Sequence, residues 1–310
     1  GISDVAFRRI AARFGAGLVV TEMVAASAYV ARADEARLRS EGEGIYPHVV
    51  QLVGRNPRAM GEAARLAEAS GADVVDINFG CPAKKVTGGL CGSALMREPE
   101  LALAIVEAVV AAVTVPVTVK TRLGWDDGSR NAVPIAQAAV GAGAEAVTVH
   151  GRTRQQFYTG TADWDAIAEV VDAVPVPVIA NGDVGCPRTA KSCLSRSRAA
   201  AVMIGRAALG QPWIVGEIAA ALAERPYTPP SFSERAAAAV EHYEAMLSLY
   251  GAKMGTRHAR KHLAAYADRA GEAGFGLSDD DRRNLVTSLD PGLVTGLLAR
   301  IYDETARLAA

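Results

Sequence analysis

The chain has few cysteines, and they do not occur in an arrangement that would bind a metal or build a disulfide framework. Its 310 residues include four cysteines, at positions 81, 91, 186 and 193, and no two of them form a C-x-x-C pair. None of the five histidines stands at a metal-ligand spacing from a cysteine. Four scattered thiols in a chain of this length are typical of the reducing cytosol. We therefore expect a cytoplasmic protein that binds no metal.

A strong net charge and a membrane-spanning apolar run are also missing. The 33 basic and 34 acidic residues leave a net charge of -1, so any nucleic-acid binding surface must be local. The apolar stretch 101–119 contains Glu107 and Pro116, which favours a helix, a turn and a buried strand over a membrane span. The N-terminal segment is amphipathic and charged, unlike a signal peptide. We expect no membrane association.

The sequence does contain a regular alternation of short apolar runs and helical patterns. Helical patterns occur at 57–70, 99–113, 132–142, 163–174 and 188–194. Seven runs rich in β-branched residues predict buried parallel strands at 18–21, 49–53, 74–78, 115–120, 146–150, 176–181 and 201–205. One strand about every 30 residues is the spacing of βαβ units, and it predicts an α/β fold of the (β/α)8 TIM-barrel type.

The beginning of the chain departs from a complete barrel. There is no initiator methionine, and the first element is a helix that we expect to begin at Ser3 as its N-cap and to end near residue 14. Seven strands would leave two open sheet edges, which barrel closure normally removes. The sequence therefore predicts a barrel that lacks its first strand.

A second, helical domain is predicted after the barrel. A helix at 214–223 would complete the barrel, and the proline-rich segment "ERPYTPPSF" at 224–232 has no periodicity. Apolar residues at helical spacing then continue to the end of the chain. We expect a barrel domain over residues 1–225, a linker over 226–232 and a small all-α domain over 233–310.

Polar residues follow the apolar runs, at the strand ends where barrels of this type place their active sites. "IANGDVG" and "MIGRAALG" follow the last two runs, and their glycines predict a phosphate-binding site to which Arg206 adds charge. Lys120 allows two interpretations, a Schiff base or a fixed charge that stabilises an electron-rich ring. His150 is interpreted as a hydrogen-bonded strand end, a base or a ligand contact.

Cys81 stands in the stretch "VDINFGCPAKKVTGG". Cysteine is commonly a buried thiol that only packs. Here Gly80 and Pro82 flank it at a strand end, and Lys84 and Lys85 follow before a flexible Thr-Gly-Gly segment. Such a loop presents its side chains, so we expect Cys81 to have a chemical role.

Five blocks in order along the chain carry a family resemblance: "DINFGCPAKKV", "VTVKTRLGW", "VTVHGRTR", "VIANGD" and "MIGRAALGQPW". Together they resemble bacterial tRNA-dihydrouridine synthases, most closely the B type. The resemblance implies an FMN-binding barrel, a helical domain that helps to hold tRNA, and a flavin reduced by NADPH or NADH. It also implies hydride transfer from flavin N5 to C6 of a uridine, with Cys81 as the acid that protonates C5.

The resemblance also implies further site residues. For the flavin they are Gln51, Lys120, His150, Asn181, Gly182, Asp183, Gly205 and Arg206. Asn78 and Arg122 match residues around a uracil that has left its stack. The basic residues expected to bind tRNA phosphates are Lys84, Lys85, Arg152, Arg154, Arg260 and Lys261. We expect a monomer. The family's first strand ends in a turn that cups the flavin, and only its last residues, 1–4, match here.

Two other functions compete with this one. An FMN-dependent oxidoreductase acting on a free pyrimidine would share the barrel, but it would not need a basic helical tail. A barrel that binds RNA without catalysis would share the tail, but it would not bind flavin. Binding of tRNA and flavin absorbance separate these alternatives.

Overall fold

The computed structural model describes residues 2–303, and it forms two compact units. Residues 18–205 form one unit, and the other contains, of the described residues, 2–17 and 206–303. This division differs from the boundaries expected from the sequence, which group residues 1–225. A division into compact units does not test domain boundaries, so the predicted boundaries stay a prediction. Residues 304–310 of the predicted helical domain lie outside the described residues.

A parallel sheet is the centre of the 18–205 unit, and it confirms the predicted fold class. The strands follow the order β1-β3-β4-β5-β6-β7-β8, and β2 also pairs with β3. All the strand pairs are parallel. The strands are β1 Val19–Val20, β2 Val24–Ala25, β3 His48–Val53, β4 Val74–Asn78, β5 Val117–Arg122, β6 Ala146–His150, β7 Val178–Asn181 and β8 Ala201–Met203.

Helices connect these strands and make up most of the other unit. Two 3₁₀ helices accompany them, at Gly92–Arg97 and Arg206–Ala208. The α-helices described within residues 2–303 are α1 Val5–Arg13, α2 Ala26–Val30, α3 Asp34–Ser40, α4 Pro57–Ala69, α5 Lys84–Gly88, α6 Pro99–Val110, α7 Ala132–Gly141, α8 Trp164–Ala173, α9 Pro187–Ser197, α10 Ile214–Leu222, α11 Phe232–Glu272, α12 Asp279–Thr287 and α13 Pro291–Ala299.

Several local predictions were wrong. Strands β5 and β7 begin two residues late, after Pro116 and Pro177, because proline has no amide hydrogen to donate to a neighbouring strand. Asp4, not Ser3, caps α1, and its Oδ1 accepts the Phe7 N–H at 3.0 Å. The segment expected to be a flexible loop after Cys81 contains α5. The short strand β2 was not predicted.

Within the strands, apolar and polar side chains alternate, so the two faces of the sheet differ. Val75, Ile77, Val117 and Val119 belong to a buried apolar cluster with residues of α2, α4 and α6. The intervening positions of β4 and β5 carry the polar side chains Asp76, Asn78, Thr118 and Lys120. Successive strand residues point to opposite faces, so one face packs on helices while the other carries the polar groups.

The stretch 101–119 divides between α6 and β5, as predicted. Within residues 2–303, no helix combines the length and the apolar character that a membrane span requires.

Helix α11 reverses direction within the other unit. Gly251 has φ 73° and ψ 157°, which is not helical. The rings of His242 and His262 nevertheless lie 4.6 Å apart, although 20 helical residues would separate them by about 30 Å. The two halves of α11 therefore form an antiparallel pair, and they share an apolar core with α12 and α13.

A close contact between α4 and α6 leads to a first prediction. A methyl group at Gly61 would lie 2.8 Å from the carbonyl oxygen of Ala108. We expect Gly61→Ala to lower the free energy of unfolding by about 1–3 kcal/mol, because the two helices must separate. Gly141→Ala is the control, since nothing lies within 4 Å of the added carbon there. Urea denaturation measures both variants, and equal stability of the two would contradict the packing argument.

Candidate active site

The polar residues predicted from the sequence do lie on neighbouring strands. Gln51 pairs with Asp76 between β3 and β4, and Asn78 pairs with Lys120 between β4 and β5. His150 on β6 stands between Arg122 on β5 and Asn181 on β7. The parallel register therefore brings these side chains to one end of the sheet.

A directed chain of hydrogen bonds runs through the first three of these strands. The carboxylate of Asp76 accepts bonds from Thr118 Oγ1 and Gln51 Nε2, both at 2.6 Å. Gln51 Oε1 then accepts a bond from Asn78 Nδ2 at 2.9 Å. Asn78 Oδ1 accepts the N–H groups of Gly80 at 3.1 Å and Cys81 at 2.9 Å. The chain thus ends at the backbone of the candidate catalytic cysteine.

Asp76 sets the direction of this chain. An ionised carboxylate can only accept, so Gln51 must turn its NH₂ group toward Asp76 and its oxygen toward Asn78. The NH₂ group of Asn78 then donates to Gln51, and the Asn78 oxygen remains to accept the N–H groups of the Cys81 turn. Burial raises the pKa of Asp76 to about 6, although the bonds from Thr118 and Gln51 and the charge of Lys120 act in the opposite direction. Sequence reasoning missed Asp76, which stands between two core residues of its strand.

The turn that carries Cys81 is held from several sides. The Cys81 carbonyl accepts bonds from the N–H of Ser93 at 3.1 Å and from its hydroxyl at 2.8 Å. Gly92 has φ 59°, and a side chain there would lie 3.0 Å from the same carbonyl. The Cys81 residue is half-buried and its thiol is free, so the turn presents the thiol on a backbone of fixed geometry.

Lys120 is a cation at the centre of the strand ends. Its Nζ donates to Asn181 Oδ1 at 3.1 Å, and Asn181 Nδ2 donates to the Met203 carbonyl at 2.8 Å. Burial, and next the charge of Arg122, lower the pKa of Lys120 to about 8, while Asp76 and Cys81 counteract them. A lysine with a lowered pKa can serve as a cation beside a ligand or as a nucleophile, so the pKa alone does not separate the fixed-charge and Schiff-base interpretations.

Arg122 ties the Cys81 turn to the loop that follows β6. It is buried, and its guanidinium donates to the carbonyls of Gly80 at 2.8 Å and of Thr153 and Phe157 at 2.9 Å. Burial lowers the pKa of Arg122 to about 10, which leaves it charged. These contacts make it a link between loops, and its contact with a uracil stays a prediction.

Buried Arg152 and exposed Asp183 form a bidentate ion pair next to the predicted phosphate site. Arg152 Nη1 and Nη2 donate to the two Asp183 oxygens at 2.9 and 2.7 Å, and Arg152 is only 2% exposed. Gly182, with φ 117°, leaves no room for a side chain, because a methyl group would lie 2.7 Å from the Cβ of Ala162. Arg152 therefore shapes this loop, and its contact with tRNA stays a prediction.

The strand ends offer groups that suit a flavin mononucleotide. Lys120 supplies a partly exposed cation, and His150 and Asn181 supply polar groups on the two neighbouring strands. A methyl group at Gly205 would meet nothing within 4 Å, so a phosphate could approach the backbone there. Together these residues fit an anionic ligand with a polar ring. Arg206 begins the other compact unit, and its contact with a phosphate stays a prediction.

Basic and aromatic side chains surround the Cys81 turn. Lys84 and Lys85 are exposed on α5, and Arg154 Nη2 reaches Thr87 Oγ1 of the same helix at 3.4 Å. Phe157 and Tyr158 are about two-fifths exposed, at 39% and 41%, in a T-shaped pair 4.9 Å apart. Sequence reasoning missed this pair. Its signal was two adjacent aromatic residues in a polar loop after a strand.

The predicted tRNA-binding residues of the other unit are also on a surface. Arg260 and Lys261 are exposed on the second half of α11. Their side chains face solvent beside buried His262. Their contact with tRNA stays a prediction.

Comparison with known proteins shows the family. The family model described as Dihydrouridine synthase (Dus) matches residues 1–278. The chain is 50% identical over 306 residues to a "Probable tRNA-dihydrouridine synthase" of Rhizobium leguminosarum bv. phaseoli, which covers 99% of this chain and 94% of that protein. It is 46% identical over 270 residues to "tRNA-dihydrouridine synthase B" of Xanthomonas axonopodis pv. citri, with 86% and 81% covered.

Solved structures agree at the level of the fold. A 2-naphthoyl-CoA reductase aligns with a TM-score of 0.55 at 11% identity, over 72% of this chain and 47% of that one. Histamine dehydrogenase from Rhizobium sp. 4-9 aligns with a TM-score of 0.52 at 12% identity, over 71% and 44%. The chain belongs to the dihydrouridine synthase family, and the resemblance found in the sequence is confirmed. The predicted activity, reduction of tRNA uridine by a flavin-dependent oxidoreductase, is confirmed at the level of that family.

The raised pKa of Asp76 predicts a pH dependence of stability. A carboxyl group whose pKa is higher in the folded state costs stability once it ionises, so the cost is absent below about pH 4 and complete above about pH 6. A shift of this size corresponds to about 3 kcal/mol. We expect the free energy of unfolding of Asp76→Asn, relative to wild type, to rise by up to that amount between pH 4 and pH 7.

Urea denaturation at several pH values measures this difference. Asp127→Asn is the control, because Asp127 is exposed and its variant should follow the wild-type profile. A constant difference between Asp76→Asn and wild type from pH 4 to pH 7 would contradict the assignment.

Proposed function

We propose that this protein reduces one uridine of tRNA to 5,6-dihydrouridine, with FMN as cofactor and NADPH or NADH as reductant, and with Cys81 as the proton donor. The family supports reduction of tRNA uridine, and the observation that carries the residue assignment is the directed chain that ends at Cys81. FMN, the reductant and the roles of individual residues are proposals.

Reduction of the uracil C5=C6 bond requires a hydride at C6 and a proton at C5. When bound, the reduced flavin supplies the hydride. The thiol of Cys81 supplies the proton, so its S–H bond breaks as the C5–H bond forms, and a solvent proton restores it. A thiol held by an immobile turn is suited to this step, because proton transfer needs the acid within hydrogen-bond reach of the carbon.

The strand ends hold the cofactor in this proposal. Lys120 places a positive charge beside the ring, where negative charge develops on reduction, and Asn181 orients its ammonium group. Gln51 and His150 contact the ring, and Gly182, Asp183, Gly205 and Arg206 contact the ribityl chain and the phosphate. The backbone of Gly205 has the open space that such a contact needs.

Two local basic surfaces hold the tRNA. Lys84, Lys85 and Arg154 stand around the Cys81 turn, and Arg260 and Lys261 stand on α11. They neutralise phosphates without reading sequence. The target base must leave its stack to reach the site, and the exposed pair Phe157 and Tyr158 offers a surface for it to stack on.

Substitution of Cys81 tests the central assignment. We expect Cys81→Ala to bind FMN and to be reduced by NADPH as the wild type is, while dihydrouridine formation falls by about 100-fold or more. Flavin absorbance measures binding and reduction, and nucleoside mass spectrometry of tRNA measures the product.

Cys91→Ala is the matched control. Cys91 lies ten residues away, and its half-buried thiol donates to the Gly89 carbonyl. Because that thiol proton is engaged with a backbone carbonyl, substitution of Cys91 should leave the product yield unchanged. Equal activity of Cys81→Ala and Cys91→Ala would refute the proton-donor role of Cys81. Binding of flavin with no product from any tRNA would instead refute the proposed substrate.

The lysines of α5 generate a separate prediction. We expect the double variant Lys84→Gln, Lys85→Gln to raise KM for tRNA by about 10-fold at moderate salt and to weaken the salt dependence of binding. The turnover number should change little. Lys191→Gln is the control, because Lys191 is exposed on α9 of the same unit. An unchanged salt dependence in the double variant would exclude α5 from the tRNA surface.

We also propose that the protein works in the cytoplasm as a monomer. Its four cysteines are all free thiols, which is consistent with a reducing compartment, and tRNA is the substrate.

A further inference from the structure

Three metal-ligating side chains meet inside the unit that contains α1 and α11. They are Asp4, which caps α1, and His242 and His262, one from each half of α11. Each is at most 6% exposed. The ligand atoms of the three residues all lie within 4.8 Å of one another. We propose that they form a binding site for a divalent metal ion of the zinc type.

The two ligand separations that involve Asp4 suit such an ion, and the ligand nitrogens of the two histidines lie within 4.8 Å of each other. Asp4 Oδ2 lies 3.4 Å from His242 Nε2 and 3.8 Å from His262 Nε2. Bonds of about 2.0–2.1 Å in a tetrahedral zinc site place ligand atoms about 3.3–3.4 Å apart. The first distance already agrees, and the second requires a movement of a few tenths of an ångström.

The ligand atoms of Asp4 and His242 face each other, and their long hydrogen bond of 3.4 Å is one that a metal ion between them would replace. Asp4 uses Oδ1 to cap α1 through the Phe7 N–H, so Oδ2 is the oxygen that faces the histidines. His242 Nδ1 lies 3.2 Å from the Tyr266 hydroxyl. A ligating histidine commonly donates its second ring N–H to such an outer group, which fixes the ring orientation. Asp4 and His242 are therefore oriented as ligands.

The ring of His262 is buried without a hydrogen bond to any described residue. Neither of its ring nitrogens has a hydrogen-bond partner within the described structure, although the side chain is only 2% exposed. A buried polar nitrogen without a partner costs free energy, because it has lost its hydrogen bonds to water. The Asp4 carboxylate is too far away to accept a hydrogen bond, but a metal ion between them would bind the nitrogen.

The chemistry of this set selects the ion. Two imidazoles and one carboxylate suit zinc and similar transition ions, whereas calcium and magnesium prefer oxygen ligands. The site lies on α1 and α11 and contains none of the residues assigned to flavin, uracil or tRNA. Its role is therefore structural: it joins the start of the chain to both halves of α11. It differs from the sequence-based expectation that no metal binds, because that expectation compared histidines only with cysteines.

Metal content and thermal stability test the proposal. Full-length protein without a histidine tag is freed of metal with a chelator, titrated with Zn²⁺ alone and dialysed. We expect one zinc per chain by mass spectrometry, and a melting temperature that rises with Zn²⁺. Asp4→Asn keeps an oxygen to cap α1 but loses the anionic ligand, so its zinc affinity should fall at least about 10-fold. The zinc affinity of His262→Gln should fall by a similar factor.

His258→Gln is the matched control, because His258 is exposed on the same half of α11 and its variant should bind zinc as the wild type does. Co²⁺ serves as a second probe, since a tetrahedral site gives it strong visible absorption. Wild-type protein that retains no zinc and shows no rise in melting temperature would overturn the proposal and leave a histidine and carboxylate cluster that only packs. Equal zinc affinity in wild type, Asp4→Asn and His262→Gln would overturn it as well.

Discussion

The ionised carboxylate of Asp76 is the constraint on which the arrangement of the site depends. It can only accept hydrogen bonds, so it removes the freedom of two amide side chains to turn over, first in Gln51 and then in Asn78. The oxygen of Asn78 is thereby fixed as the acceptor for the backbone N–H of Cys81. Burial of that charge costs free energy, which the bonds from Thr118 and Gln51 only partly offset. The molecule thus keeps an unfavourable group where it gives two amides a single orientation.

Two buried arginines, Arg122 and Arg152, hold loops of the fold in place. Arg122 and Arg152 are each buried and donate to backbone carbonyls, and Arg152 is also paired with Asp183. Together they hold the loops after β4, β6 and β7 in one arrangement. The cations of α5, Lys84 and Lys85, are exposed instead. Positive charge around the Cys81 turn is therefore divided between buried arginines that hold loops and lysines that are open to solvent.

The sequence predicted the fold well because apolar β-branched runs and their spacing reflect local physics. It placed all seven main strands, and its errors at β5 and β7 came from prolines that cannot donate to a neighbouring strand. The residue types of the site were also predicted, since polar groups ended the runs. What it could not predict was the pairing: Asp76 with Gln51, Arg152 with Asp183, and Asp4 with two histidines more than 230 residues away. Those contacts depend on tertiary distances that no local pattern encodes.

The reversal of α11 has a consequence for how precisely the helical unit is built. Beyond Gly251, Gly255 lies so close to the first half that a single methyl group would stand 2.7 Å from the Met246 carbonyl oxygen. The gap between the two halves is therefore as narrow as backbone contact allows. A larger residue at position 255 would push the halves apart and carry His262 away from His242, although it touches neither ring. The spacing of two side chains in the core is in this way controlled by a residue that has none.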